Sequence, residues 1–138
     1  MSAVLMTGFP GFLGSALLPG ILAKREGASA ICVVQARHMA TAKARLAEIQ
    51  AAHPHTVDRV QLVEGDITVP GLGLSDSVAV DAVNEVWHLA AVYDLSVPED
   101  IAKRVNIVGT ENVLQFCRER SNFRRLQYVS TCYVSGAY

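Results

Sequence analysis

The run Thr7-Gly8-Phe9-Pro10-Gly11-Phe12-Leu13-Gly14 constrains the fold more than any other part of this 138-residue sequence. A short apolar stretch, Ala3 to Thr7, leads into it. A segment with helical spacing, Phe12 to Lys24, leads out, with Phe12, Leu13, Ala16, Leu17, Ile21 and Leu22 as its apolar stripe. A strand that turns sharply into a helix through Gly-x-x-Gly-x-x-Gly can serve two ends. It can simply make a tight turn. It can also leave backbone N–H groups and the positive end of a helix free to meet a pyrophosphate. In the second reading Gly8 permits the turn, Gly11 lets phosphate approach without a Cβ in the way, and Gly14 lets the helix pack closely on the strand. The position of the run, after a strand and before a helix, favours the second reading.

The same alternation continues along the chain. Strands are expected at Ile31–Gln35, Val60–Val63, Val86–Ala90 and Leu126–Ser130. Helices are expected at Thr41–Ala51, with Leu46 and Ile49 inward, and at Pro98–Arg120, with Ile101, Val105, Val108, Val113, Leu114 and Cys117 as the buried stripe. Short apolar strands alternating with amphipathic helices predict a parallel sheet covered on both faces. Right-handed crossovers then give a doubly wound α/β fold of about five strands, a single Rossmann-type domain over residues 1–138, incomplete at its C-terminus. Pro19-Gly20 falls inside the first helix, where proline and glycine are unfavourable, and a kink is expected there.

Composition bears on partners. Charged residues make up 18% of the sequence and the net charge is -1, which gives no basic face for nucleic acid and no pull toward an anionic membrane. No apolar run reaches the roughly 20 residues of a membrane-spanning helix. The three cysteines, Cys32, Cys117 and Cys132, are odd in number and scattered, as in a reduced, cytoplasmic protein. His53 and His55 flank Pro54 in a polar stretch with no further ligand at metal-binding spacing, so no metal site is expected.

Four later segments, in order, complete a pattern. They are Val63-Glu64-Gly65-Asp66-Ile67-Thr68, His88-Leu89-Ala90-Ala91, Asn106-Ile107-Val108-Gly109-Thr110, and Tyr128-Val129-Ser130-Thr131-Cys132-Tyr133-Val134-Ser135-Gly136. With the glycine run, they make the chain resemble the extended short-chain dehydrogenase/reductase family from Val4 to Tyr138. The resemblance implies a nicotinamide dinucleotide held by Thr7, Gly8, Gly11, Phe12, Leu13 and Gly14. It implies that Asp66, with Ile67, meets the adenine, and that Leu89, Ala90 and Ala91 pass beside the cofactor. Asn106 would anchor helix to strand backbone, or be an ordinary polar helix position. Tyr93 would wall the nicotinamide pocket, or be a loop aromatic. Of the two hydroxyls at the end of the fifth strand, Thr131 matches the family's catalytic position and Ser130 lies beside it. His88 reads as a satisfied core histidine rather than a catalyst, and Trp87 and Val86 as packing.

The choice of cofactor turns on the second strand. An acidic residue there bonds the ribose 2'-hydroxyl of NAD, whereas arginine suits the 2'-phosphate of NADP. The sequence reads Val34-Gln35-Ala36-Arg37-His38, without a carboxylate. Arg37 favours NADP, with NAD the alternative; a solvated loop charge is the plainer role for this arginine.

The family's proton donor is a tyrosine with lysine four residues on, because a phenol with a pKa of about 10 needs a neighbouring cation to act near neutrality. Tyr128 and Tyr133 have no such lysine, and Tyr138 is the last residue. The expectation is therefore an N-terminal part of a longer NADP(H)-dependent oxidoreductase. It would pass hydride between nicotinamide and a carbonyl or alcohol carbon of a small-molecule substrate. The branch related to acyl-thioester reductases fits best, and a homodimer is open. A nucleotide-sugar epimerase or dehydratase that retains NAD, or a non-catalytic dinucleotide sensor, remain as alternatives.

Overall fold

The computed structural model describes residues 2–92, 94 and 96–130. Five strands, β1 (Ala3–Thr7), β2 (Ser29–Val34), β3 (Val60–Glu64), β4 (Val83–His88) and β5 (Arg125–Tyr128), form one sheet in the order β3-β2-β1-β4-β5. Every neighbouring pair is parallel. The order reverses direction between β1 and β4, and that switch point is where ligands bind in sheets of this kind.

Alternate residues along each strand feed two cores, as the two-residue period requires. Val4, Met6, Ala30, Cys32 and Val34 pack beneath α1 (Phe12–Lys24) and α2 (Met39–Ala52) with Leu18, Leu22 and Ile49. Leu5, Ile31, Val33, Val63 and Val86 face the other side, against Val113, Phe116 and Cys117. Those three belong to α4 (Gly109–Arg118), which follows α3 (Glu99–Lys103) through one π-helical turn at Arg104–Val108. Both sheet faces are thus covered, and the doubly wound expectation holds.

Several sequence expectations need correction. The buried face of α1 is Gly14, Leu18, Pro19, Ile21 and Leu22, whereas Phe12, Leu13 and Ala16 are exposed. This helix is apolar on nearly every side, so its pattern carries no phase. It runs through Pro19 without ending. The Pro19 carbonyl accepts from His55 Nε2 at 2.9 Å, which ties the histidine to the helix. The stretch 98–120 is not one regular helix. The π turn inserts a residue and shifts the register, which leaves Ile101 and Val108 exposed and confines the buried stripe to α4. β4 begins three residues before its expected start and ends at His88, and β5 ends at Tyr128. Among the described residues no helix is long and apolar enough to cross a membrane.

Two arginines tie the C-terminal end of α1 to the rest of the fold. Just past α1, Arg25 forks onto the buried Glu85 of β4, with Nε–Oε2 at 2.5 Å and Nη2–Oε1 at 2.6 Å, and Trp87 Nε1 donates to the same carboxylate at 3.0 Å. Arg59 donates to the carbonyls of Leu22, Arg25 and Ala28, which closes the C-terminal end of α1.

Candidate dinucleotide site

A cleft of about 470 Å³ opens at the carboxyl ends of the strands. Each wall is the segment that follows a strand. Thr7 to Gly11 comes from β1, and Gln35, Arg37 and His38 from β2. Gly65 to Thr68 comes from β3, and Ala90 to Val92 from β4. Ile101 and Val105 close the far side.

The glycine turn is built around its own carbonyl. Gly11 N donates to Gly8 O at 2.8 Å, and a Cβ on Gly11 would stand 2.6 Å from that same oxygen. Gly14 would meet it at 3.1 Å and Met6 Sδ at 3.3 Å, which is the close approach of α1 to β1. Gly8 sits at φ +91°, and its Cβ would press on Leu89 and the Ala90 nitrogen. The N-terminus of α1 has no side-chain cap and no acidic residue in its first turn. Its opening N–H groups, at exposed Phe12 and Leu13, therefore lack partners within the helix. Uncapped donors at a helix start, beside a glycine turn that opens on a cleft, are what a pyrophosphate requires.

Arg37 lies in a short 3-10 turn after β2, exposed at the cleft mouth, with Nε donating to Gln35 Oε1 at 3.0 Å. Among the described residues Asp66 contributes the only carboxylate to the lining. Its Oδ1 is held by Thr68, from N at 2.8 Å and Oγ1 at 2.7 Å. No acidic side chain stands at the end of β2.

Behind the cleft, Asn106 clamps the segment after β4. Its Nδ2 donates to Val92 O at 2.8 Å and its Oδ1 accepts from Val92 N at 2.9 Å. Two glycines inside the segments that carry the resemblance, not singled out there as site residues, also matter. A Cβ on Gly65 would meet Val33 Cγ1 at 2.6 Å and Leu72 O at 2.7 Å. One on Gly109 would meet Ile67 Cδ1 at 2.8 Å. Their place at a strand end and at a helix start was the available signal.

The structure thus gathers Thr7, Gly8, Gly11, Arg37, Asp66, Ile67, Ala90 and Ala91 around one cleft. Gly14 lies buried under the turn, and Leu89 packs toward the α1 core. Phe12 and Leu13 point outward at the helix start, and Ser130 is exposed beyond β5, away from the cleft lining. Thr131 and Tyr93 lie outside the described residues. Burial pushes the Cys32 thiol up to about 12 and that of Cys117 to about 11, so neither is poised as a nucleophile.

Residues 6–138 match the family model described as Male sterility protein. The chain belongs to this family of NAD(P)-binding domains. Fatty acyl-CoA reductase 1 of Gallus gallus is 27% identical over 95% of the chain. The non-canonical nonribosomal peptide synthetase cpsA of Aspergillus campestris is 29% identical over 96%. The chain spans only 28% and 13% of those two proteins. Among solved structures, the terminal R domain of the myxalamid PKS-NRPS pathway superposes with a TM-score of 0.73 at 27% identity, over 95% of the chain and 35% of that domain. Gre2 of Candida albicans, solved with NADPH, shares the fold at 18% identity and a TM-score of 0.67, over 93% of the chain and 36% of its own. The Rossmann-type domain and its place in the acyl-thioester reductase branch of the extended short-chain family follow from these matches.

Proposed function

We propose that the protein is an NADPH-dependent reductase of acyl thioesters, with residues 1–138 holding the dinucleotide. The observation that carries this reading is the cleft itself. It joins an uncapped helix start, a glycine turn and Arg37 at the switch point of a parallel sheet. The relatives are named as reductases of fatty acyl-CoA or as reductase domains of peptide synthetases, which supports a thioester as substrate.

In this reading the first turn of α1 receives the pyrophosphate and Arg37 forks onto the 2'-phosphate. A planar guanidinium suits that group, and the segment Gln35-Ala36-Arg37-His38 carries no carboxylate. Asp66 and Ile67 flank the adenine, while Ala90 and Ala91 present backbone beside the ribose. The reduced nicotinamide supplies hydride to a carbonyl carbon. Thr131 holds the oxygen of that carbonyl, with Ser130 beside it.

The test uses the protein at its natural length, purified from its source, with a long-chain acyl-CoA and NADPH. Consumption of NADPH with release of aldehyde and free thiol in equal amounts is expected. Oxidation of NADPH without thiol release, or turnover only of nucleotide sugars with NAD retained through purification, would overturn the assignment.

A further inference from the structure

Thr7 and His88 close β1 and β4 side by side, and their hydrogen bonds can be assigned completely. Thr7 Oγ1 accepts from Leu89 N and from Ala90 N, both at 3.1 Å. Two acceptances use both lone pairs of the hydroxyl, so its one proton must go elsewhere. His88 Nδ1 lies 2.7 Å away and receives it. Nδ1 is therefore the bare nitrogen of the ring, and the imidazole proton is on Nε2. Nε2 faces Thr110 Oγ1 at 3.4 Å. Thr110 spends its own proton on Asn106 O at 2.7 Å, which leaves its oxygen free to accept.

The chain of donors thus has one consistent direction. It runs from the Leu89 and Ala90 amides through Thr7, His88 and Thr110 to Asn106. Asn106 in turn grips both backbone polar groups of Val92. The segment 88–92 is held at one end by the hydroxyl at the foot of the glycine turn and at the other by the π turn. The turn also lies close against it: a Cβ built on Gly8 would stand 2.8 Å from Leu89 Cβ and 3.0 Å from Ala90 N. Buried chains of this kind are rigid when every member is satisfied and loosen when one is removed.

We infer that His88, as the neutral Nε2–H tautomer, is a positioning residue for the cleft: with Thr110 it fixes the spacing between the glycine turn and the Leu89–Val92 wall on which dinucleotide affinity depends. This rests on the cleft being the dinucleotide site. Neither His88 nor Thr110 lines the cleft. His88 is buried and stacked on Tyr128, with ring centroids 5.5 Å apart, and its ring nitrogens meet the hydroxyls of Thr7 and Thr110.

The test has two readouts. Long-range 15N–1H spectra of the imidazole report the tautomer directly, with Nε2–H expected and Nδ1–H contradicting the assigned network. NADPH titration then compares wild type with Thr110→Val and Thr110→Ser. The valine variant is expected to bind NADPH about threefold to tenfold more weakly, with shifted amide resonances at Leu89 and Ala90. The serine variant, which keeps the hydroxyl, is expected to bind within about twofold of wild type. Equal affinity of wild type and Thr110→Val overturns the inference alone. Failure of wild type to bind any nicotinamide dinucleotide overturns the cleft assignment, and this inference with it.

Discussion

A Cβ built on Gly8 would stand 2.8 Å from Leu89 Cβ and 2.9 Å from the Leu89 carbonyl carbon, so the turn after β1 rests directly on the backbone that leaves β4. Gly8 also has φ +91°, where side chains other than hydrogen are strained. Gly8→Ala should therefore lower stability by about 2 kcal/mol or more, from backbone strain and the forced shift of Leu89. It should also widen the cleft and abolish measurable NADPH binding. Gly20 is the control. Nothing lies within 4 Å of its would-be Cβ, and it sits inside α1. Gly20→Ala should stabilise by about 0.5–1 kcal/mol with NADPH affinity unchanged. Urea unfolding and NADPH titration of both variants check the pair.

The Arg25–Glu85 fork is the interaction whose loss should be felt most away from the cleft. The Glu85 side chain is only 9% exposed, so removing its partner strands a buried carboxylate. Arg25→Ala should cost about 3 kcal/mol, since breaking one half of a buried pair is far worse than removing both. Glu85→Gln should cost less, because Trp87 Nε1 retains an acceptor. Urea unfolding monitored by Trp87, the only tryptophan, reports both.

Much of this organisation is legible in the sequence, and the failures share a cause. β1, the glycine turn and Arg37 are readable because special backbone geometry and charge leave a residue signature. The phase of α1 is not, because Phe12, Leu13 and Ala16 are as apolar as the residues that are buried. The π turn at Arg104–Val108 has no residue code. It coincides with a tertiary contact, the two bonds of Asn106 to Val92. His88 reads as a satisfied core histidine, but the direction of its proton follows only from counting the bonds of Thr7. The need for glycine at Gly65 and Gly109 follows from the packing of Val33 and Ile67 against them, which the sequence does not display.

Burial lowers the pKa of His88 from its ordinary 6.5, because the charged form loses its hydration. The unfolded chain then takes up a proton near pH 6.5 that the folded chain refuses. Stability contributed by the neutral ring is present above that pH and is lost as the pH falls through 6.5 toward the depressed value. The slope approaches about 1.4 kcal/mol per pH unit for one proton. Unfolding free energies at pH 7.5 and 5.5 should therefore differ more for wild type than for His88→Asn. That variant is less stable at pH 7.5 but flatter with pH. Identical pH slopes would remove His88 as the source.

Titration of the protein with NADPH and with NADH, repeated for Arg37→Ala, tests whether the cleft holds a 2'-phosphorylated dinucleotide through Arg37. Wild type should bind NADPH more tightly than NADH, and the alanine variant should lose about tenfold to a hundredfold in NADPH affinity while NADH is unaffected. That loss corresponds to charge-assisted bonds of roughly 1.5–3 kcal/mol. Tighter binding of NADH by wild type, or an equal loss for both cofactors in the variant, would contradict it.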